Sequence, residues 1–276
     1  MRLGVNVPNF GPGTNPEVLR AWARTVEGLG FDLLMVSDHV VITDDVKAFY
    51  PAPFYEPFTT LSWLAGVTER ITLGTTVLVL PLRHPLLVAR MAANLDRLSG
   101  GRFVLGVGAG WARQEHDALG VPHDRRGRLT DEALVTIKDA WRDHDDYRAG
   151  HIPIWVGGDS APALRRAVAH GDAWHPLRQT PEQFEEALAR LKTAAQDAGK
   201  PVPALAPRIL LNLTDDPPAE RRLGEGTVAQ VVADLHRLRD LGAGTVVLDP
   251  YLGDPRETLE PEAAWHALAA VRKEFR

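Results

Sequence analysis

The run Ile154-Trp155-Val156-Gly157-Gly158-Asp159-Ser160 takes a short apolar stretch into two glycines, a carboxylate and a hydroxyl, and a helical pattern starts at Ala161. Two glycines let a backbone approach a ligand closely. A helix start offers unpaired N–H groups at the positive end of the helix dipole, so the chemistry expected of Gly157, Gly158, Asp159 and Ser160 is that of a phosphate cradle. The same four residues also suit a plain strand-to-helix turn. Repetition favours the cradle: Gly106-Val107-Gly108-Ala109-Gly110 and Ser37-Asp38-His39 close two more apolar stretches.

His39 is the residue of that set that titrates near neutrality, and it stands next to Asp38. An imidazole there could take or give a proton or hydrogen-bond a cofactor ring, with Asp38 orienting it or touching the cofactor itself. An Asp-His pair also serves metals. The first strand pattern has no His-x-His and no carboxylate–histidine set recurs at other strand ends, so no metal is expected. Gly158-Asp159-Ser160 is not a Gly-x-Ser-x-Gly elbow, which argues against acyl transfer. His84, His116, His123, His144, His151, His170, His236 and His266 fall on helical or connecting segments and are expected to be solvated.

Such residues need strands to carry them. Leu3–Val7, Leu33–Ser37, Ile71–Leu80, Phe103–Gly106, Ile154–Val156, Ala173–His175, Arg208–Leu213 and Thr245–Leu248 have strand patterns, with amphipathic helical patterns between them. In the first helix Asn15 caps, Pro16 and Glu17 suit the first turn, and Val18, Leu19, Trp22, Val26 and Leu29 share one face. Eight strand–helix units predict an α/β (β/α)8 barrel occupying residues 1–276 as one domain, with a doubly wound sheet as the alternative. In such a barrel the active site lies at the carboxyl ends of the strands, where Asp38, His39, the Gly106–Gly110 run and the Gly157–Ser160 run fall. Two segments break the rhythm. Residues 40–57 carry Phe49, Tyr50, Phe54 and Tyr55 with three prolines and have the length of a lid or binding wall; residues 200–226 are proline-rich and charged.

Composition excludes several classes. The chain has 276 residues, 45% of them apolar, and a net charge of −5 with no basic stripe, so neither nucleic acid nor an anionic membrane is an expected partner. It has no cysteine, which removes thiolate chemistry and disulfides. No signal-peptide pattern or long apolar run is present, and a cytoplasmic location is expected.

Taken together, Val36-Ser37-Asp38-His39-Val40, Leu73-Gly74-Thr75-Thr76-Val77-Leu78, Ser99-Gly100-Gly101-Arg102-Phe103 running into Gly106–Trp111, the Ile154–Ser160 run and Gly171-Asp172-Ala173-Trp174-His175-Pro176 resemble the luciferase-like family of flavin and deazaflavin enzymes over essentially the whole chain. The Ser-Asp-His-Val form is most similar to its coenzyme F420 branch. The resemblance implies a barrel binding F420, or alternatively FMN, and hydride transfer to or from a small organic substrate. By the same resemblance His39 stands against the ring, Asp38 touches its edge, and Thr76-Val77 forms a non-prolyl cis peptide behind it. Gly108, Ala109 and Gly110 approach the polyol tail, and Gly157, Gly158 and Ser160 hold the phosphate. It also implies a homodimer, with a separate flavin reductase if FMN is the cofactor. The sugar-phosphate dehydrogenase branch has a glutamate where this chain has Trp111, and the insertion of many relatives before the fifth strand shrinks here to residues 142–151. A cofactor-binding protein without turnover is the reading from another class.

Overall fold

The computed structural model describes residues 1–147 and 151–275. Its sheet is wholly parallel. The strands are β1 (Arg2–Asn6), β2 (Leu33–Val36), β3 (Thr72–Thr75), β4 (Phe103–Gly108), β5 (Ile154–Gly157), β6 (Ala173–His175), β7 (Ala204–Leu205), β8 (Arg208–Leu210) and β9 (Thr245–Asp249). β7 and β8 are two halves of one strand, interrupted at Pro207, whose ring removes a ladder donor. One side of that strand pairs with β6, where the Ala206 amide donates to Trp174; the other side pairs with β9, where the Val247 amide donates to the Pro207 carbonyl. Strand one pairs with both β2 and β9, so the sheet closes into the expected eight-position barrel.

The flanking helices are α1 (Pro16–Gly28), α2 (Asp44–Lys47), α3 (Pro57–Ala65), α4 (Pro85–Leu98), α5 (Arg113–Ala118), α6 (Arg126–Asp143), α7 (Ala161–His170), α8 (Pro181–Asp197), α9 (Val228–Asp240) and α10 (Pro261–Glu274). Helices α1, α3, α4, α8 and α10 each begin with proline, whose missing N–H costs nothing where no intrahelical partner exists. Asn15 caps α1 by accepting from the Val18 amide, and the helix buries Leu19, Trp22, Ala23 and Val26 against the strands. Burying a Leu or Val side chain is worth about 1.5–3 kcal/mol and fixes which helix face meets the barrel.

Three boundaries differ from the sequence expectation, each for a local reason. The stretch 71–80 is split into β3 and a short segment, Leu78–Val79, because the Thr76-Val77 peptide is cis and turns the chain between them. β4 runs on to Gly108, so Gly106 and Gly108 are strand residues and only Ala109 and Gly110 follow it. A Cβ on Gly106 would stand 1.9 Å from the Thr75 carbonyl oxygen, which explains a glycine inside a strand. The 208–213 stretch ends at Leu210, and Asn212–Leu213 pairs instead with Glu225–Gly226 as a separate ribbon. Among the described residues no helix is long and apolar enough to cross a membrane.

Candidate active site

His39 leaves the end of β2 and is buried, with 7% exposure. Its Nδ1 lies 2.8 Å from a carboxylate oxygen of Glu115, a residue of α5 that is itself 1% exposed. The second oxygen of Glu115 accepts the amides of Val40 and Val41 at 2.5 and 3.2 Å. Burial pushes the Glu115 carboxyl up, but the His39 bond and the two amides outweigh it and hold the group below its ordinary range. Glu115 is thus a carboxylate. Three rings wall the other sides of His39: Tyr50 at 5.2 Å, Phe54 at 5.6 Å and Trp111 at 5.7 Å between centroids.

Tyr50 and Phe54 come from the long 40–57 segment, which folds over the barrel mouth as a wall. Phe10 packs against Tyr50, Phe54 and Tyr251, and the Tyr251 hydroxyl donates to the Phe49 carbonyl at 2.6 Å, tying the segment to the end of β9. Asn9 bridges the Tyr55 and Ser37 carbonyls and accepts the Ser37 amide, holding the same segment to the end of β2. At the rim Phe49 and Trp111 meet edge to face, both about half exposed.

Asp38 is turned away from His39. Its oxygens accept two bonds from Arg83 at 2.7 and 2.8 Å and one from the Val79 amide at 2.8 Å. Burial raises its pKa against the pull of Arg83. The expectation that Asp38 orients the imidazole is therefore corrected: Glu115 does so, because helix α5 packs over the strand end while Arg83 claims Asp38. The expectation of solvated histidines fails at His116, which is fully buried with both ring nitrogens on carbonyls of Ala112 and Ala109.

The floor of the mouth is a buried polar network. Asp249, at the end of β9, accepts from Arg208 at 2.8 and 3.1 Å, from Arg178 at 3.1 Å and from Asn6 at 3.0 Å. Burial alone would raise the Asp249 carboxyl, but the two guanidinium groups hold it low. Arg208 also donates to the Thr76 carbonyl at 2.7 Å, and Thr76 Oγ1 lies 2.8 Å from His175 Nε2. Burial lowers the His175 pKa to about 4, so its ring is neutral, with Nδ1 donating to the Ala206 carbonyl and Nε2 accepting from Thr76. Thr76 is in this way clamped from two strands at the cis peptide. Val77 is seated between strands: a Cβ on Gly108 would be 2.7 Å from its Cγ2 and one on Gly157 3.0 Å from its Cγ1.

The Gly157–Ser160 turn stands on β5, with Gly158, Asp159 and Ser160 exposed. Gly158 has φ +97°, a conformation only glycine adopts freely, and its carbonyl accepts the Trp174 indole N–H at 2.8 Å. Ser160 caps α7. Pro162 supplies no amide and Ala163 bonds Ser160, so the open donors are those of the turn and the first helical residue. Asp159 is held by Gln179 at 3.0 Å. The turn and His39 follow strands three positions apart in the sheet. Among the described residues no cluster of His, Cys, Asp or Glu could hold a metal ion.

The sequence of residues 1–223 matches the family described as luciferase-like monooxygenase. The chain belongs to this family. Its members are oxidoreductases, which sets it among enzymes rather than passive binding modules. A phthiodiolone/phenolphthiodiolone dimycocerosates ketoreductase of Mycobacterium tuberculosis is 31% identical over 175 residues, 55% of this chain and 46% of the relative. Two solved structures share the fold. An F420-dependent secondary alcohol dehydrogenase, held there with an F420–acetone adduct, superposes with a TM-score of 0.75 at 17% identity over 98% of both chains. The FMN-bound oxygenating constituent of 3,6-diketocamphane monooxygenase from Pseudomonas putida gives 0.75 at 17% identity over 100% of this chain and 97% of its own.

Sequence reading missed Glu115, Arg83, Arg178, Arg208 and Asp249. The last two carried a signal: a guanidinium and a carboxylate inside the apolar runs Arg208-Ile209-Leu210 and Val246-Val247-Leu248-Asp249 have to find partners once buried. Glu115 had none, since a carboxylate on a polar helix is ordinarily solvated.

Proposed function

We propose that this protein is a coenzyme F420-dependent oxidoreductase that moves hydride between the deazaflavin and a small organic substrate, a carbonyl–alcohol couple being the class its ketoreductase relative points to. The observation that carries this reading is the His39 ring, held by Glu115 and walled by Tyr50, Phe54 and Trp111 at a strand end. The residues fit the cofactor. The mouth offers aromatic surface for a ring, and the exposed Gly158–Ser160 turn, at a strand end three positions along the sheet, offers an anion site.

When bound, the cofactor supplies the hydride chemistry. The protein's own part is to orient the reactants, exclude water with the 40–57 wall, and exchange a proton with the substrate oxygen at His39 Nε2. A homodimer belongs to the same reading.

Fluorescence titration of the purified protein with F420 and, in parallel, with reduced FMN tests it. Tight F420 binding with weak FMN binding is expected, followed by hydride turnover with an alcohol or ketone. The reverse preference would replace this reading with an FMN monooxygenase, the chemistry named for the diketocamphane structure, and a separate reductase would then have to serve it.

A further inference from the structure

We infer that Glu115 is a positioning residue that fixes the tautomer of His39, so that the ring carries its proton on Nδ1 and presents a bare Nε2 lone pair to the aromatic-walled mouth. This rests on the reading of His39 as the proton-exchanging group, but its test does not.

The geometry divides the two oxygens of Glu115. One is committed to the Val40 and Val41 amides, which can only donate. The other faces His39 Nδ1 at 2.8 Å. A carboxylate can only accept, so Nδ1 must carry the hydrogen. The amide bonds keep the carboxylate from rotating, and the rings of Tyr50, Phe54 and Trp111 pack around the imidazole. In its neutral form His39 is then an acceptor at Nε2. It takes a proton from an alcohol in the oxidative direction and returns it to a carbonyl oxygen in the reductive one, so the proton balances the hydride. Neither Asp38 nor any other carboxylate partner described for the ring competes for this role, since Asp38 is spent on Arg83 and the Val79 amide.

Glu115→Gln separates this role from a merely structural one. The two donating amides keep the glutamine oxygen on their side, which leaves the glutamine NH2 facing Nδ1. Nδ1 must then accept, and the proton moves to Nε2, while the link to residues 40 and 41 survives. The experiment is a two-dimensional 15N–1H spectrum of the imidazoles, with His39 assigned by its loss in His39→Gln, recorded about two pH units above the ordinary histidine value of about 6.5. Wild type is expected to show the Nδ1–H tautomer and Glu115→Gln the Nε2–H tautomer. A wild-type ring protonated on Nε2 or on both nitrogens, or a tautomer unchanged in Glu115→Gln, overturns the inference. No cofactor is needed, so failure of the F420 titration would leave this result standing. In the loaded enzyme Glu115→Gln is expected to lower kcat by about 10²- to 10⁴-fold with KM within a few-fold, the size of general acid–base help.

Discussion

The His39 corner and the Gly157–Ser160 turn sit at the same mouth but are built in opposite ways. The turn is local: four consecutive residues, the last three exposed, with donors left open by the helix geometry itself. The corner is assembled from far apart in the chain. His39 depends on Glu115, Asp38 on Arg83, and the floor beneath them on Arg208 reaching both Thr76 and Asp249. What this difference teaches is a division of labour. A site that only grips an anion can be encoded in one turn, whereas a site that exchanges a proton needs its charges desolvated and each one answered, and that takes elements from several strands.

The division can be broken or sharpened in four ways. The largest effect is expected at the corner. His39→Ala should lower single-turnover hydride transfer by about 10²- to 10⁴-fold while cofactor affinity stays within about tenfold, because the anion contacts lie elsewhere. Stopped-flow oxidation of the reduced cofactor beside a binding titration checks this, and equal rates with much weaker binding would make His39 a clamp instead.

Next is the floor. Asp249→Asn leaves Arg208 and Arg178 buried without their carboxylate, and a loss of about 3–5 kcal/mol in urea unfolding is expected. A loss below 1 kcal/mol would show that water reaches the network freely.

The third concerns pH. His175 is neutral in the fold with a pKa of about 4 against an ordinary 6.5, so the unfolded chain binds the extra proton between those values. The stability it contributes is complete above about pH 6.5 and is lost as pH falls toward 4, a change of roughly 3 kcal/mol. Unfolding free energies at about pH 7 and pH 4.5 should differ by about 2.4 kcal/mol more in wild type than in His175→Gln, and parallel slopes would remove the assignment.

The smallest concerns the turn. At φ +97°, and with a Cβ placed 3.1 Å from that of Ala163, Gly158→Val should distort the cradle and weaken F420 binding by about 100-fold, or about 2.7 kcal/mol. A thermal melt guards against global unfolding. Unchanged affinity would reduce the turn to a plain connection between β5 and α7. Gly157 is the wrong probe, since a side chain there meets Val77 and disturbs the floor as well.

Much of this was legible in the residues. Alternating apolar strands and amphipathic helices dictate a parallel sheet with crossover helices, because neither element can bury its apolar face alone, and Asn15-Pro16 punctuates the first helix start through a local bond. The Gly157–Ser160 turn was equally plain, and so was the placement of His39 at a strand end. The cis peptide at Thr76-Val77 came from family likeness rather than from any local rule. What only the tertiary structure decided is which charges meet. Glu115 and Asp38 are both carboxylates near His39 once the chain is folded, and adjacency in sequence favoured Asp38. The packing of α5 over the end of β2, and the reach of Arg83, assigned them the other way. Hydrogen bonds within a turn are set by a few dihedral angles and can be read from residue types. Ion pairs between residues 76 positions apart are set by where whole elements dock, and hydrophobic burial, which docks them, carries no information about the partner a charge will find.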